Sequence, residues 1–269
     1  IENLGNFGVY YDSSYKDTPL STEYNQVHIP GANGRGTNYV ATEEEVYVVA
    51  GSKCKVLDAR TGVTVRQIEM PPVDSDQPGQ PTGEAPLWGF IGIVDDILLG
   101  GWGFANYQGE APDSAPREGL TILDMSASNG LVAFDRHTGK VLWQQLSQYS
   151  FLHNGIVAGA GRVYCLDKLP RSIEADLQNR GLLDTPIYRI VAFDLETGTQ
   201  RWENQENIFG TWLSYSEKYD LLLQAGARGS DRLKDEVGDG MAAYRSDDGM
   251  VVWHDPERSY SGPCILHND

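Results

Sequence analysis

The stretch LVAFDRHTGKVLWQQ, residues 131–145, decides the fold, because the chain repeats it at 190–204 as IVAFDLETGTQRWEN. Leu131, Val132, Ala133 and Phe134 form a short apolar run of strand formers, and Val141, Leu142 and Trp143 form another. Residues 135–140 between them are a polar turn with one glycine. Strand, glycine-containing turn and strand read as a hairpin, with Gly139 supplying the positive φ that a tight turn needs. The second copy keeps Ala192, Asp194, Thr197, Gly198 and Trp202 in the same places. Asp and Thr side chains bond nearby backbone N–H groups and hold such a turn closed. The Trp brings a large apolar area and one indole N–H.

Two weaker copies follow the same plan. KVLDARTGVTVRQIE, 55–69, keeps Asp58, Thr61 and Gly62 but has Arg66 in place of the Trp. MAAYRSDDGMVVWHD, 241–255, keeps Ala243, Gly249 and Trp253 but has Arg245 and Asp248 in place of the Asp and Thr. The turn glycines Gly62, Gly139, Gly198 and Gly249 are 77, 59 and 51 residues apart. A further hairpin precedes each one, with turns at 42–45, 95–96, 159–161 and 217–220. Each repeat then holds four antiparallel strands, A-B-C-D, which is a propeller blade. Blades usually repeat at roughly 40–50 residues, so the longer spacings mark insertions.

The pattern A-x-D-x-x-T-G-x-x-x-W resembles the tryptophan-docking repeat of the PQQ-like β-propellers. That family includes the quinoprotein alcohol dehydrogenases and the lipoprotein propeller of the outer-membrane β-barrel assembly machinery. Two repeats match in full and two in part. The resemblance implies an all-β fold with about four four-stranded blades in this chain, forming part of a larger propeller of seven or eight. The expected blades are 33–70, 86–146, 150–206 and 209–257 within one segment, 1–269. Residues 2–8, ENLGNFG, parallel ENQENIFG at 203–210, and CILHND at 264–269 parallels SFLHNG at 150–155. Residues 1–8 and 262–269 are therefore expected to belong to flanking blades. An open propeller exposes unpaired edges, so missing blades or a second copy are the expected partners. The family also implies a periplasmic or otherwise extracytoplasmic location.

Composition narrows the function. A net charge of −17 over 269 residues argues against nucleic acid, whose phosphates need a basic surface. A solvated acidic surface accounts for that charge better than an acidic docking face. No run of eighteen apolar residues is present to span a membrane. Cys54, Cys165 and Cys264 include no C-x-x-C pair, which argues against zinc or thioredoxin chemistry and leaves buried free thiols as the default, with a single disulfide as the open alternative. Asp231, Asp235, Glu236 and Asp239 make an oxygen-rich loop without EF-hand spacing, read as a solvated charged loop.

The insertions share a direction. In an A-B-C-D meander the B-to-C and D-to-A connections lie on one face, and the A-to-B and C-to-D turns on the other. The long segments 70–86, 102–129, 168–188 and 227–240 all fall in the first class. SIEADLQNRG within 168–188 reads as a short helix closed by Gly181. Long loops on a rigid scaffold are where function usually lives. The same face receives the starts of the inner strands, placing Asn38, Trp88, His153, Asn154, Trp212, His267 and Asn268 near the channel mouth. Aromatic and polar groups there are candidates to bind a flat polar ligand; packing tryptophans and strand-end histidines are the plainer reading. His153 and His267 are a candidate metal pair for which no third ligand is fixed, so no metal site is assigned.

The dehydrogenases hold PQQ with adjacent cysteines, a stacked Trp, and Glu, Asn and Asp around Ca²⁺. No two cysteines are adjacent here, and C-x-x-C-H is absent. The expected function is therefore a non-catalytic binding or scaffold module, engaging a protein or small-molecule ligand on the long-loop face, with no cofactor in this chain. The alternative is the propeller part of a PQQ-dependent quinoprotein oxidoreductase, with PQQ and Ca²⁺ held once missing blades complete the site. A protein-assembly platform is the third class.

Overall fold

The computed structural model describes residues 39–72, 85–106, 123–124, 127–169, 171–225 and 240–257. They form four antiparallel meanders. Unit one is β1 (Tyr39–Ala41), β2 (Glu45–Ala50), β3 (Lys53–Asp58) and β4 (Thr64–Glu69). Unit two begins with β5 (Trp88–Val94) and β6 (Ile97–Trp102), and a two-stranded ribbon, β7 (Ala105–Asn106) with β8 (Leu123–Asp124), follows. It continues with β9 (Ala127–Asp135) and the first half of β10 (Val141–Gly159). The second half of β10 opens unit three, which adds β11 (Arg162–Asp167), helix α1 (Arg171–Asn179), β12 (Arg189–Asp194) and β13 (Gln200–Asn204). Unit four is β14 (Trp212–Ser216), β15 (Leu221–Ala225), β16 (Met241–Arg245) and β17 (Val251–Asp255).

Residues 147–149, between the second and third expected blades, run through as strand, so β10 joins units two and three into one seven-stranded sheet. The pairing register shifts on both sides of the crossing, between Leu146 and Phe151 against β9 and between Phe151 and Ile156 against β11. Such irregularities bend a strand and re-aim it. Asp167 sits at the bend and accepts the N–H groups of Gln148 (2.7 Å), Tyr149 (2.9 Å) and Ser150 (3.2 Å).

The core lies between units. Tyr47, Cys54, Val56 and Ile68 of unit one pack on Leu98, Val132 and Phe134 of unit two. Leu131, Ala133 and Trp143 meet Val163, Cys165 and Phe193. Tyr164, Leu166, Ile190 and Ala192 meet Leu213, Leu222, Ala242 and Tyr244. Period-two alternation places successive residues on opposite faces, so β9 sends Val132 and Phe134 to one neighbour and Leu131 and Ala133 to the other. Cys54 and Cys165 are free and buried.

The two ends of the sheets differ. At one end the C-to-D turn bonds the A-to-B turn of the same unit: Ala59 N to Glu44 O, Arg136 N to Asp96 O, Leu195 N to Gly161 O, and Ser246 N to Asp220 O. At the other, Met70 N bonds Ser52 O, Trp88 N bonds Gly51 O, Lys168 N bonds Ser150 O, and Thr211 N bonds Ala225 O. The B-to-C and D-to-A connections leave from this second end. Of the four long connections, 168–188 is described except for residue 170, whereas 73–84, 107–122 and 226–239 lie outside the described residues.

Candidate functional site

The repeated turn is built as its residues dictate. Asp58, Asp135 and Asp194 each accept two backbone N–H groups of the turn and the hydroxyl of Thr61, Thr138 or Thr197. These bonds favour the ionised carboxyl; Arg201, with the turn donors, holds Asp194 at about 2. Gly62, Gly139, Gly198 and Gly249 all have φ near +70°. In unit four Arg245 pairs with Asp248, which accepts Met250 N at 3.0 Å.

Those turns are seats for the preceding unit. The Trp143 indole donates to Leu195 O at 2.9 Å and lies on Gly198, where a Cβ would fall 2.6 Å from the ring. Trp202 donates to Ser246 O at 2.8 Å and covers Gly249 in the same way. Two residues on, Gln145 and Asn204 donate side-chain N–H groups to the carbonyls of Gly198 and Gly249. Between units one and two the indole is missing, yet the bond is kept: Arg66 Nη2 donates to Arg136 O at 2.8 Å, the carbonyl equivalent to Leu195 O. Ile68 covers Gly139. Arg66 also makes two bonds of 2.7 Å to Glu45, whose carboxyl it holds below the usual glutamate range. Arg136 lies 3.7 Å from the same carboxylate. The sequence shows Arg66 only as a lost Trp; its substitute role depends on Glu45, twenty-one residues away.

At the loop-bearing end, the expected channel-mouth residues divide. Trp88 is buried, stacks on Phe134 at 5.3 Å and donates its indole N–H to Ser52 O at 3.0 Å. His153 is also buried and shares a 2.8 Å hydrogen bond with Ser128 Oγ, between the rings of Phe90 and Phe104. Gly89, next to Trp88, lies against His153 and Ser128 with no room for a side chain, so the start of β5 meets the start of β9 and the second half of β10. Ser128 is 0% exposed, which closes this Ser–His pair to a substrate in this conformation. Asn154 and Trp212 are half-buried, at the crossing of β10 and the start of β14. Asn38, His267 and Asn268 lie outside the described residues, as does the Asp231, Asp235, Glu236 and Asp239 loop. Among the described residues no group of three or more His, Cys, Asp or Glu is placed to hold a metal.

A second cluster at this end was not singled out from the sequence. Asp167, fully buried, pairs with Arg189 at 3.0 Å, and Arg189 reaches Glu203 at 2.7 Å. Burial pushes the Asp167 carboxyl up, while the β10 N–H groups and Arg189 pull it back. Lys168 lies 5.1 Å from the Tyr188 ring centre, and Tyr188 packs edge-on against Tyr149. Tyr188 also donates to Glu174 of α1 at 2.7 Å, pinning the helix to the sheet. The helix ends as expected at Gly181, with φ +67° and Leu182 N bonded to Leu177 O. The available signal was the register that sets Asp167 opposite Arg189.

Four-stranded antiparallel units packed against one another, with units one to three each seating an outer strand on the next one's glycine turn, are the architecture of a propeller protein. The family model described as outer membrane protein assembly factor BamB, a PQQ-like repeat, matches residues 101–259, more than half of the chain. The chain belongs to the PQQ-like β-propeller repeat family. No curated protein matches the sequence. Among solved structures, the computationally designed Ika8 protein is similar at a TM-score of 0.50 and 10% identity, over 86% of this chain and 52% of that one. Quinohemoprotein alcohol dehydrogenase from Comamonas testosteroni is similar at 0.50 and 15% identity, over 82% of this chain and 34% of its own. The chain thus spans about half of the designed protein and a third of the dehydrogenase. At these identities the likeness is one of fold alone. Among the described residues no helix is long and apolar enough to cross a membrane.

Proposed function

We propose that this chain is a non-catalytic binding or scaffold module of a PQQ-like β-propeller protein, engaging a ligand or partner at the end where the long connections leave. The observation that carries the reading is the contrast between the two ends. One end is closed by turns whose Asp, Thr and Gly residues are used in seating the preceding unit. The other carries the connections, with α1 held against the sheet through Glu174 and Tyr188. The internal engagement of Trp88, His153 and Ser128 also favours packing over chemistry at these positions. A matched family model named for outer-membrane protein assembly agrees with a platform role and an extracytoplasmic location.

The test is dye reduction by the purified chain with added PQQ and Ca²⁺ and a panel of alcohols and sugars. No turnover above buffer is expected. Robust turnover would favour the alternative, a propeller part of a PQQ-dependent oxidoreductase, and would sink the non-catalytic reading.

A further inference from the structure

The joints between units are held by different chemistry. At the Gly198 and Gly249 seats the donors are neutral: an indole N–H, and the side-chain amide of Gln145 or Asn204. Between units one and two the donor is a cation, and a second cation faces it. Arg66 on β4 donates to Glu45 and to Arg136 O, while Arg136, on the unit-two turn, reaches back to within 3.7 Å of Glu45. Both guanidiniums also donate to the Tyr47 hydroxyl, at 3.3 and 3.4 Å, and that hydroxyl donates to Glu45 at 2.5 Å. One carboxylate therefore lies between two cations from opposite sides of the joint. The Glu45 and Arg136 side chains are each only 16% exposed, so solvent screens the cluster in part. Of the other charges nearby, Glu43 and Glu44 beside Glu45 are exposed, and Asp96 lies beyond Arg136, 3.3 Å from it and 2.8 Å from His137.

We propose that Glu45 is an acid-sensitive latch: once its carboxyl is protonated, Arg66 and Arg136 repel across the joint, Arg66 leaves the Arg136 carbonyl, and the outer strands of units one and two part. Like charges this close repel strongly where water is partly excluded. Arg66 Nε is buried with no hydrogen-bond partner, so the guanidinium is incompletely satisfied even when the joint is closed. The inner part of the joint is apolar and does not titrate. Tyr47 and Val56 stay packed on Leu98, Val132 and Phe134, and Trp88 keeps its bond to Ser52 O. Release is therefore a hinge at the outer rim and leaves each unit intact. Arg66 holds the Glu45 carboxyl below the usual glutamate value, so the latch is closed above 4.5 and opens as pH falls through the depressed value. Arg66, bonded to Glu45, and Arg136, bonded to Tyr47, are held above the usual arginine range and stay charged, and burial keeps the Tyr47 phenol protonated. Asp96, lowered by its bond to His137, also discharges in acid and takes the other anion away from Arg136.

Spin labels on the whole chain read the joint directly. Gln67 and Lys140 are exposed on its two sides, and Gln144 and Thr199 are their equivalents at the next joint. One labelled chain carries Gln67→Cys with Lys140→Cys, the other Gln144→Cys with Thr199→Cys. Both carry Cys264→Ser, and the buried Cys54 and Cys165 are kept. Distances are measured by double electron–electron resonance from about pH 7 down to about pH 3, across the carboxylate range. A longer distance between positions 67 and 140 is expected to become the major population, with its midpoint below 4.5, while that between 144 and 199 holds. Glu45→Gln keeps the side-chain shape without the charge, and should show the longer distance already at neutral pH. A distance across 67 and 140 that stays fixed throughout, both pairs lengthening together, or a folded Glu45→Gln variant with the short distance at neutral pH overturns the proposal. If that variant does not fold, the parent titration decides alone. Dye reduction plays no part in these readings, so this inference and the non-catalytic reading can fail separately.

Discussion

At Arg66 a guanidinium stands where units two and three place an indole, and all three donate to the carbonyl after the turn's first residue. Trp143→Ala is expected to cost about 3–5 kcal/mol, the range for emptying a large aromatic site, read from urea midpoints. Gly198→Ala should destabilise as well, because its Cβ would fall 2.6 Å from that indole at a φ of +70°. Arg66→Ala is expected to cost about 1.5–3 kcal/mol, the range for charge-assisted hydrogen bonds. Its pH signature distinguishes it from a packing defect. The Glu45 pKa is lowered in the fold, so its stabilisation is present above the usual 4.5 and lost as pH falls through the depressed value. The acid-side fall in stability should therefore shrink in Glu45→Gln; an unchanged profile would exclude Glu45 as its source. The turn residues were legible because local chemistry sets them: Asp accepts, Thr accepts and donates, Gly bends. Arg66 was not, since its partners lie on β2 and on the next unit's turn.

Among the elements, β10 departs furthest from the sequence reading. A repeat pattern marks where units begin again, and 147–149 reads as the gap between two of them. The gap stays extended because the buried carboxylate of Asp167 gathers its N–H groups while Arg189 balances the charge. Removing one partner of such a pair leaves buried charge and unpaired donors. Asp167→Ala is accordingly expected to cost about 3–5 kcal/mol, whereas Glu203→Ala, at the half-exposed end of the network, should cost far less. Equal losses in the two variants, measured by thermal melting, would mean that the bend does not depend on Asp167. Helix α1 was legible from SIEADLQNRG because its closing Gly181 is local information. Its attachment to the sheet through Tyr188 was not, because that contact joins residues fourteen apart across a turn.

For the whole molecule, the strand order within each unit followed from four repeats of one pattern, and the end from which the connections leave followed from strand order alone. Side-chain placement at that end was less legible. A Trp beginning an inner strand has the same sequence signature whether it lines a channel or stacks on Phe134, and only the neighbouring sheet decides.

The shared strand β10 also has a kinetic meaning. Units one and four each form a sheet of four strands, but units two and three hang from one backbone segment and cannot part without tearing its ladder on both sides. The molecule is thus two separable wings on an indivisible centre. Native-state hydrogen exchange should show the amides of β9 to β12 opening together as the last cooperative block, with β2, β3, β15 and β16 released earlier. A protease acting on these partly opened forms would meet the wings first and leave the welded middle as its resistant core.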